Sequence, residues 1–411
     1  MRSLNPDRNL WPLFGVLFLD GVGAGILMPV LPFVAIEYHV SPLAVTALVA
    51  IFSGFSAIGG MFLGWLADRL PRRLVLMGAL TTMAASYVGM CLVPGYWPIL
   101  AMRALSGLAA GNTAVVQSII ANAATDERRP SLLGKAGAAT AAGILAGPIF
   151  VGLSALNPWA ISTTKLAFYI ATLFAALALG LAVFDLVQRR AEGSETRGDR
   201  LRRPSVQFQI RTRESREALA VILVYFLGTV AFAAPLSISA LWSYDVLGWG
   251  AAKTGALIAL ATASLAATQL LLFPFLVGKL GAARTFAIGP LMIATGLFLC
   301  PASHLEIFFW IGHAIAASGF GILAASAPTL ISSFVPEHSR GSWLGASEAG
   351  RSIGQCVGPL AAGWAFQAVS HDFSYFQAGG IALVALAAAV LQPIIIKRGT
   401  FLTSKCGVDT P

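Results

Sequence analysis

The chain has 411 residues, of which 57% are hydrophobic and only 11% are charged. Soluble domains carry about 25% charged residues, so this composition excludes a soluble globular enzyme, and its high hydrophobic content excludes a disordered chain. Four cysteines without paired or metal-like spacing exclude a disulfide-rich secreted domain and predict no metal site. The net charge of +9 therefore bears on membrane topology rather than on nucleic acid binding.

Long apolar stretches divide the chain into membrane-spanning helices, because a helix satisfies its own backbone in lipid and about 20 residues cross the hydrocarbon core. Twelve spans are predicted, at residues 10–35, 42–66, 74–94, 97–122, 132–156, 165–187, 218–243, 252–277, 284–302, 305–334, 342–368 and 374–396. The one long polar segment carries nine Arg and five acidic residues and separates six spans from six. We therefore predict an all-α protein of two pseudo-symmetric six-helix bundles, with an N-terminal bundle at 1–187, a cytoplasmic basic linker at 188–217, a C-terminal bundle at 218–396 and a cytoplasmic tail at 397–411.

The cations are distributed asymmetrically between the two sides of the membrane. If the N-terminus is inside, 23 of the 27 Lys and Arg residues fall in cytoplasmic segments. Lys165 and Lys253 lie outside, and Arg103 and Arg351 fall within spans. Because cytoplasmic loops are enriched in cations, we predict a multi-pass plasma-membrane protein, in the inner membrane if bacterial, with both termini in the cytoplasm.

Span 1 places Asp20 inside an apolar helix. A carboxylate within a span costs about 2.5–3.5 kcal/mol on insertion scales, and no residue of the local helix can pair with it. Two interpretations stay open: Asp20 makes a structural hydrogen bond to a neighbouring helix, or it binds a proton or a cation during a transport cycle.

The loop between spans 2 and 3 combines one carboxylate with three guanidinium groups. Asp68 can accept hydrogen bonds from an Arg side chain or from a helix N-terminus, and Gly64 is expected to allow a close helix approach. The cluster could join two helix bundles on the cytoplasmic side, although it also fits ordinary cytoplasmic charge. This predicted gate loop comprises Gly64, Asp68, Arg69, Arg72 and Arg73.

Span 4 carries Arg103 on the same helix face as Gly107 and Gly111. An Arg this deep needs an acidic partner or water, unless its side chain extends outward to the membrane surface. Asn112 and Gln117 are polar residues of the same span, and we predict that they face a substrate cavity.

Span 5 contains Gly143, Gly147, Pro148 and Gly152. Small residues let helices pack closely in lipid and proline bends or loosens a helix, so ordinary packing also explains the pattern. The same pattern recurs in span 11 with an offset of 211 residues and no gap. Span 5 therefore corresponds to span 11, and paired parallel repeats are one known construction of secondary transporters.

Three ionisable residues stand out in the second half. Glu348 and Arg351 lie three residues apart in span 11, where they fit a static ion pair or a site for a proton or a cationic substrate. We count Arg351 among the candidate cavity residues. His313 in span 10 could titrate, but a lone buried histidine also fits a structural role.

Four of these segments resemble signatures of the major facilitator superfamily. The loop Gly64–Arg73 is similar to the loop 2–3 signature, with Pro71 where the family usually has glycine. Arg103 lies in a segment similar to the span 4 motif, in which an Arg takes part in proton coupling. The glycines and proline of span 5 resemble the antiporter motif of drug:proton exporters, and the string from Asp20 to Pro32 resembles span 1 of tetracycline-type and multidrug exporters.

The resemblance implies a secondary transporter, and we interpret the chain as a drug:proton antiporter that exports small lipophilic or cationic molecules by alternating access. Asp20 is our first choice for the proton and Arg103 responds to it, while Glu348 and His313 are the other candidates for proton coupling. No cofactor is expected, with the proton as the coupling ion. The expected partners are a small-molecule substrate and membrane lipids but no nucleic acid, and a monomer is the default.

Two other functions stay open at this point. One is an exporter of a single metabolite, sugar, lipid or siderophore, and the other is a non-transporting membrane sensor or scaffold. An enzyme is not expected, because the sequence has no His-Glu-x-x-His site, and it has no Gly-x-x-x-x-Gly-Lys-Ser/Thr loop that would support ATP as the energy source.

Overall fold

The computed structural model describes residues 10–67, 69–93, 95–123, 129–154, 163–191, 213–302, 305–336 and 340–391. Within these ranges the regular secondary structure is helical throughout. The helices of the first half are α1 (Trp11–Glu37), α2 (Pro42–Ala67), α3 (Arg72–Leu92), α4 (Tyr96–Ala109), α5 (Asn112–Ala123), α6 (Arg129–Ser154) and α7 (Thr163–Ala191). Those of the second half are α8 (Arg213–Leu247), α9 (Ala251–Ala267), α10 (Phe273–Leu280), α11 (Ala282–Leu299), α12 (Glu306–Phe334), α13 (Arg340–Ala368) and α14 (Phe373–Val390).

Eleven helical segments of the described residues are long and apolar enough to cross a membrane. Two of them contain more than one helix. One is Tyr96–Ile120, formed by α4 and α5, and the other is Ala252–Leu280, formed by α9, a π-helical turn and α10. The eleven segments coincide with eleven of the predicted spans and confirm the all-α, multi-pass architecture.

The twelfth predicted span, residues 342–368, lies on α13. This stretch is helical but is not among the eleven apolar segments. Its glycines, serines and glutamines, together with Glu348 and Arg351, lower its hydropathy. In the sequence this span is recognised by its repeat with span 5 more than by its apolar character.

The described helices form two compact units, which are Met1–Arg203 with Ser239–Ala259 and Pro204–Ile238 with Leu260–Pro411. The end of α8 and the start of α9 are thus grouped with the first unit. In that unit Tyr244 meets Phe33 of α1 edge-on, with ring centroids 6.3 Å apart. Most of the predicted linker, residues 192–212, lies outside the described residues, and the predicted domain boundaries stay a prediction.

Glycines bring the backbones of α1 and α6 into direct contact in the first unit. A Cβ atom on Gly143 would collide with the carbonyl oxygen of Phe18, and one on Gly147 would collide with the backbone of Gly25. The turn of α1 that carries Asp20 lies between these two contacts. The antiporter-like glycines therefore hold α6 directly against the turn that bears the carboxyl group.

The second unit repeats this packing between α13 and α8. A Cβ atom on Gly354 would lie 3.0 Å from the carbonyl oxygen of Phe226. Phe226 of α8 is therefore the counterpart of Phe18 of α1. Two residues further along each helix, Gly228 is the counterpart of Asp20. The two halves share this helix contact, but the first half alone places a carboxyl group there.

Candidate proton-coupling and transport site

Asp20 is half-buried on α1 and faces a polar neighbour on α5. The Asn112 amide interacts with the Asp20 carboxyl group, and the Asn112 side chain is only 1% exposed. Its Oδ1 atom accepts a hydrogen bond from the Thr113 hydroxyl over 3.2 Å, while its Nδ2 atom has no hydrogen-bond partner among the described residues. A buried donor without a partner is costly, so a nearby carboxyl group is favourable for this amide.

Tyr87 on α3 is a third member of this site. Its side chain is 3% exposed, and its ring packs on Gly23, one turn of α1 beyond Asp20. The hydroxyl group lies in the neighbourhood of Asp20 and Arg103. The sequence analysis did not identify Tyr87, because a tyrosine in an apolar span carries no signal of function by itself.

Arg103 on α4 is buried, with 6% of its surface exposed. Its Nε donates a hydrogen bond to the carbonyl oxygen of Leu48 over 3.3 Å, and its guanidinium lies over the Phe52 ring at 4.2 Å. The sequence argument expected an acidic partner or water. Among the described residues the structure provides a backbone carbonyl and an aromatic face.

These contacts bring a carboxyl, an amide, a phenol and a guanidinium together from four helices of one unit. Each of these groups can donate or accept hydrogen bonds, and the guanidinium keeps its charge at all ordinary pH values. A carboxyl group that can hold or release a proton thus lies in the same unit as a buried guanidinium of fixed charge. Gln117, five residues beyond Asn112 on α5, is half-buried, and none of the described contacts of Asp20 involves it.

The three guanidinium groups of the predicted gate loop make separate contacts within the first unit. Arg69 stacks on Trp65 with its guanidinium 3.7 Å from the ring centroid. Arg72 donates to the carbonyl oxygen of Ser118 over 3.4 Å. Arg73 pairs with Asp185 on α7, whose side chain is only 4% exposed.

The other two residues of the predicted gate loop are Asp68 and Gly64. Asp68 lies outside the described residues. A Cβ atom on Gly64 would meet no described atom within 4 Å, so the expected close helix approach at Gly64 is wrong for the described part of the chain. Spacing in the sequence cannot show which face of a helix end is covered.

The antiporter-like motif lies on the buried side of α6. Gly143, Gly147 and Pro148 are buried, and Pro148 also meets the α9 end of the first unit, where a Cβ on Gly255 would lie 3.6 Å from its carbonyl oxygen. Gly152 belongs to α6, and its surroundings lie outside the described residues.

Glu348 and Arg351 form an ion pair on α13. The Arg351 Nε lies 2.9 Å from both carboxylate oxygens of Glu348, and the Tyr225 hydroxyl interacts electrostatically with the pair. The Glu348 side chain is 60% exposed and the Arg351 side chain is 27% exposed. Of the two interpretations made from the sequence, this geometry favours a static pair.

His313 is buried in the second unit between α11 and α14. Its Nδ1 lies 3.0 Å from the carbonyl oxygen of Phe309 and 3.3 Å from the Cys300 sulfur. The ring also meets Tyr375 edge-on. These contacts are those of a histidine packed in a core, and none of the described ones joins it to the Asp20 site. Among the described residues, no group of three His, Cys, Asp or Glu side chains could hold a metal ion.

The helices define a multi-pass membrane protein with a buried polar site in its first unit. The family model of the Major Facilitator Superfamily matches residues 13–289 and 254–398. The chain belongs to the major facilitator superfamily, whose members are transporters.

Its curated relatives include resistance proteins from several bacteria. The class E tetracycline resistance protein of Escherichia coli is 25% identical over 378 residues, which cover 90% of each chain. The class G protein of Vibrio anguillarum is 27% identical over 359 residues, covering 84% of this chain and 87% of that protein. Multidrug resistance protein 1 of Bacillus subtilis (strain 168) is 26% identical over 392 residues, covering 93% and 96%.

Solved structures share the fold at lower identity. A peptide transporter, POT, superposes with a TM-score of 0.78 at 16% identity, covering 94% of this chain and 95% of that chain. The nucleoside transporter NupG gives a TM-score of 0.74 at 13% identity, covering 95% and 100%. At these identities the likeness establishes the fold alone.

Proposed function

We propose that this chain is a proton-coupled exporter of small lipophilic or cationic molecules that works by alternating access. A proton binds Asp20, and Arg103 responds to the change of charge while the substrate leaves in exchange. The proposal uses the proton as the coupling ion, needs no organic cofactor and takes the monomer as the working unit, in a plasma membrane with both termini cytoplasmic.

The site around Asp20 is the observation that carries the proposal. An ionisable residue inside a span is costly and usually belongs to an ion or substrate pathway. Here the carboxyl group faces Asn112 and Tyr87, on the turn of α1 that the antiporter-like glycines of α6 contact. The names of the relatives, tetracycline resistance and multidrug resistance proteins, favour tetracycline and other drugs as test substrates.

The energy of a proton is sufficient for useful export. One charge moving down a membrane potential of 100 mV releases about 2.3 kcal/mol. At about 1.4 kcal/mol per factor of ten, this supports roughly a fifty-fold concentration gradient of an uncharged substrate exchanged for one proton; a monocation exchanged for one proton moves no net charge and is driven by the pH gradient.

The test measures efflux of tetracycline and of a panel of lipophilic cationic dyes from energised vesicles. Wild type is compared with Asp20→Asn and with Asp245→Asn, a matched control that changes an exposed aspartate of α8. We expect efflux that collapses with the proton gradient in wild type and in Asp245→Asn, and no gradient-driven efflux in Asp20→Asn.

Two results would contradict the proposal in different ways. Gradient-driven efflux that survives in Asp20→Asn would move proton coupling to another group, such as Glu348 or His313. A wild type that moves none of the panel would favour an exporter of one specific metabolite, or a sensor or scaffold that transports nothing.

A further inference from the structure

The last two turns of α2 carry an exposed aromatic patch, made of Met61, Phe62 and Trp65, at the end of the helix predicted to face the cytoplasm. The Trp65 side chain is 50% exposed, and its ring stacks on that of Phe62 with the centroids 6.1 Å apart. Large apolar side chains exposed on a spanning helix face lipid, and tryptophan is enriched where the hydrocarbon core meets the headgroups. The aromatic patch therefore lies at the membrane interface.

Arg69 adds a positive charge to this patch. The helix ends at Ala67, and the chain then turns, with the N–H of Arg69 donating to the carbonyl oxygen of Leu66 over 3.0 Å. The side chain folds back by one helical turn, and its guanidinium lies 3.7 Å from the centroid of the Trp65 ring. Because the N–H donors of a guanidinium lie in its plane, a ring over its face leaves those donors for another acceptor.

The other two arginines of the predicted gate loop are held by protein groups. Arg72 donates to the carbonyl oxygen of Ser118 over 3.4 Å, and Arg73 pairs with the buried Asp185 over 2.8 Å. Arg69, in contrast, is exposed, and its contact among the described residues is the Trp65 ring. Of the three guanidinium groups, that of Arg69 is thus the one that faces outward from the first unit.

The second unit has a similar pair at the predicted cytoplasmic end of span 8. The Lys279 ammonium lies 4.4 Å from the centroid of the Phe275 ring, with the same spacing of four residues, and Phe275 is 54% exposed. Lys253 lies 4.6 Å from the Trp249 ring on the opposite predicted side, but Trp249 is only 2% exposed and belongs to the interior. Among these three pairs, the exposed rings are on the predicted cytoplasmic side, where anionic lipids give the membrane a negative surface.

We propose that Arg69 and Trp65 form a binding site for the phosphate group of an anionic phospholipid, such as phosphatidylglycerol, in the cytoplasmic leaflet. The guanidinium donates two parallel hydrogen bonds to phosphate oxygens, a geometry that arginine favours. The Trp65 ring orients the guanidinium, and the acyl chains lie along Phe62 and Met61. Because the other two arginines bind protein groups, the loop is anchored to its own unit on one side and to the bilayer on the other.

The test follows the quenching of Trp65 fluorescence by brominated lipids. Purified full-length protein is reconstituted in phosphatidylcholine vesicles that contain increasing fractions of brominated phosphatidylglycerol or of brominated phosphatidylcholine. The chain has nine tryptophans, so the Trp65 signal is the difference between each protein and the same protein carrying Trp65→Phe. Arg69→Gln removes the cation, and Arg284→Gln, at an exposed position of α11 on the same predicted side, is the matched control. Thermal unfolding checks that each variant is folded.

We expect half-maximal quenching of Trp65 at about a fivefold lower fraction of brominated phosphatidylglycerol than of brominated phosphatidylcholine, in wild type and in Arg284→Gln. This ratio corresponds to about 1 kcal/mol for one basic residue near an anionic surface. Arg69→Gln should lose the preference. Arg69→Lys, which keeps the charge without the planar donors, should retain part of it.

Three results would overturn the lipid site. The first is equal quenching by the two lipids in wild type, or a preference that is unchanged in Arg69→Gln. The second is an equal loss in Arg284→Gln, which would assign the preference to overall surface charge. The third is competition by free glycerol phosphate, which would assign the site to a soluble anion. Because the measurement needs no transport, its outcome is independent of the proposed function.

Discussion

Arg73 donates a hydrogen bond from Nε to Asp185 Oδ2 over 2.8 Å and thereby ties the start of α3 to the end of α7. In the sequence, Arg73 belongs to the predicted gate loop and Asp185 lies near the end of the sixth predicted span, with nothing to connect them. Asp185 is almost fully buried, so the pair is more than surface charge. An acid in this position gives the loop between spans 2 and 3 a fixed anchor on its own unit.

We predict that Asp185→Asn destabilises the folded protein by about 1.5–3 kcal/mol, the range for a lost hydrogen bond to a charged group. Thermal unfolding of detergent-solubilised protein measures the effect. Glu37→Gln, at the exposed end of α1, is the matched control and should change little. Unchanged unfolding of Asp185→Asn would show that the pair contributes no stability.

A set of four glycine variants tests the helix contact that both halves share. Gly143→Ala should destabilise the protein by about 1–3 kcal/mol, the cost of overpacking, because the new methyl group meets the backbone of α1. Gly354→Ala should cost less, since its nearest contacts lie at 3.0 Å. Gly134 and Gly345 occupy equivalent open positions, and alanine there should be neutral or stabilising by up to about 1 kcal/mol, because glycine weakens a helix.

The order of unfolding temperatures in that set is the measurement. Gly143→Ala should unfold first, then Gly354→Ala, with the two open-site variants at or above wild type. If Gly143→Ala and Gly134→Ala unfolded together, the contact between α1 and α6 would not be as close as the structure has it.

We predict that Arg103→Lys abolishes most proton-driven efflux although the positive charge is kept. Lysine cannot reproduce the planar contact with Phe52 together with the hydrogen bond to Leu48, and losing a charged hydrogen bond of about 1.5–3 kcal/mol corresponds to a ten- to hundredfold fall. Arg284→Lys, at an exposed position of α11, is the control. Initial efflux rates under a fixed proton gradient measure both variants, and full activity in Arg103→Lys would show that charge alone is needed.

We predict that Glu348→Gln retains gradient-driven efflux. The exposed ion pair with Arg351 is expected to contribute no more than about 1 kcal/mol to stability, and no described contact joins it to the Asp20 site. Efflux rates of Glu348→Gln and Asp20→Asn, measured in the same vesicles, give the comparison. A Glu348→Gln variant as inactive as Asp20→Asn would place a second coupling acid in α13.

The sequence predicts the architecture and three of the four residues of the candidate site, for identifiable reasons. The length of the apolar stretches predicts most of the spans. Asp20 and Arg103 stand out because a charged side chain in lipid has a high free-energy cost. Tyr87 and Asp185 escape such reasoning, because their importance comes from partners far away in the chain. The expectation for Gly64 failed for a related reason, since a small residue permits a close contact without requiring one.

The composition of α13 has a consequence for how the protein is made. This helix contains Glu348, Arg351 and many small or polar residues. Because an Arg at a helix centre costs about 2.5–3.5 kcal/mol, the helix partitions poorly into lipid on its own. Its glycines contact the backbone of α8, which leaves the ribosome much earlier. We therefore expect α13 to enter the bilayer by docking on the α8 helix already inserted there, so that a substitution that disturbs α8 also impairs the insertion of α13.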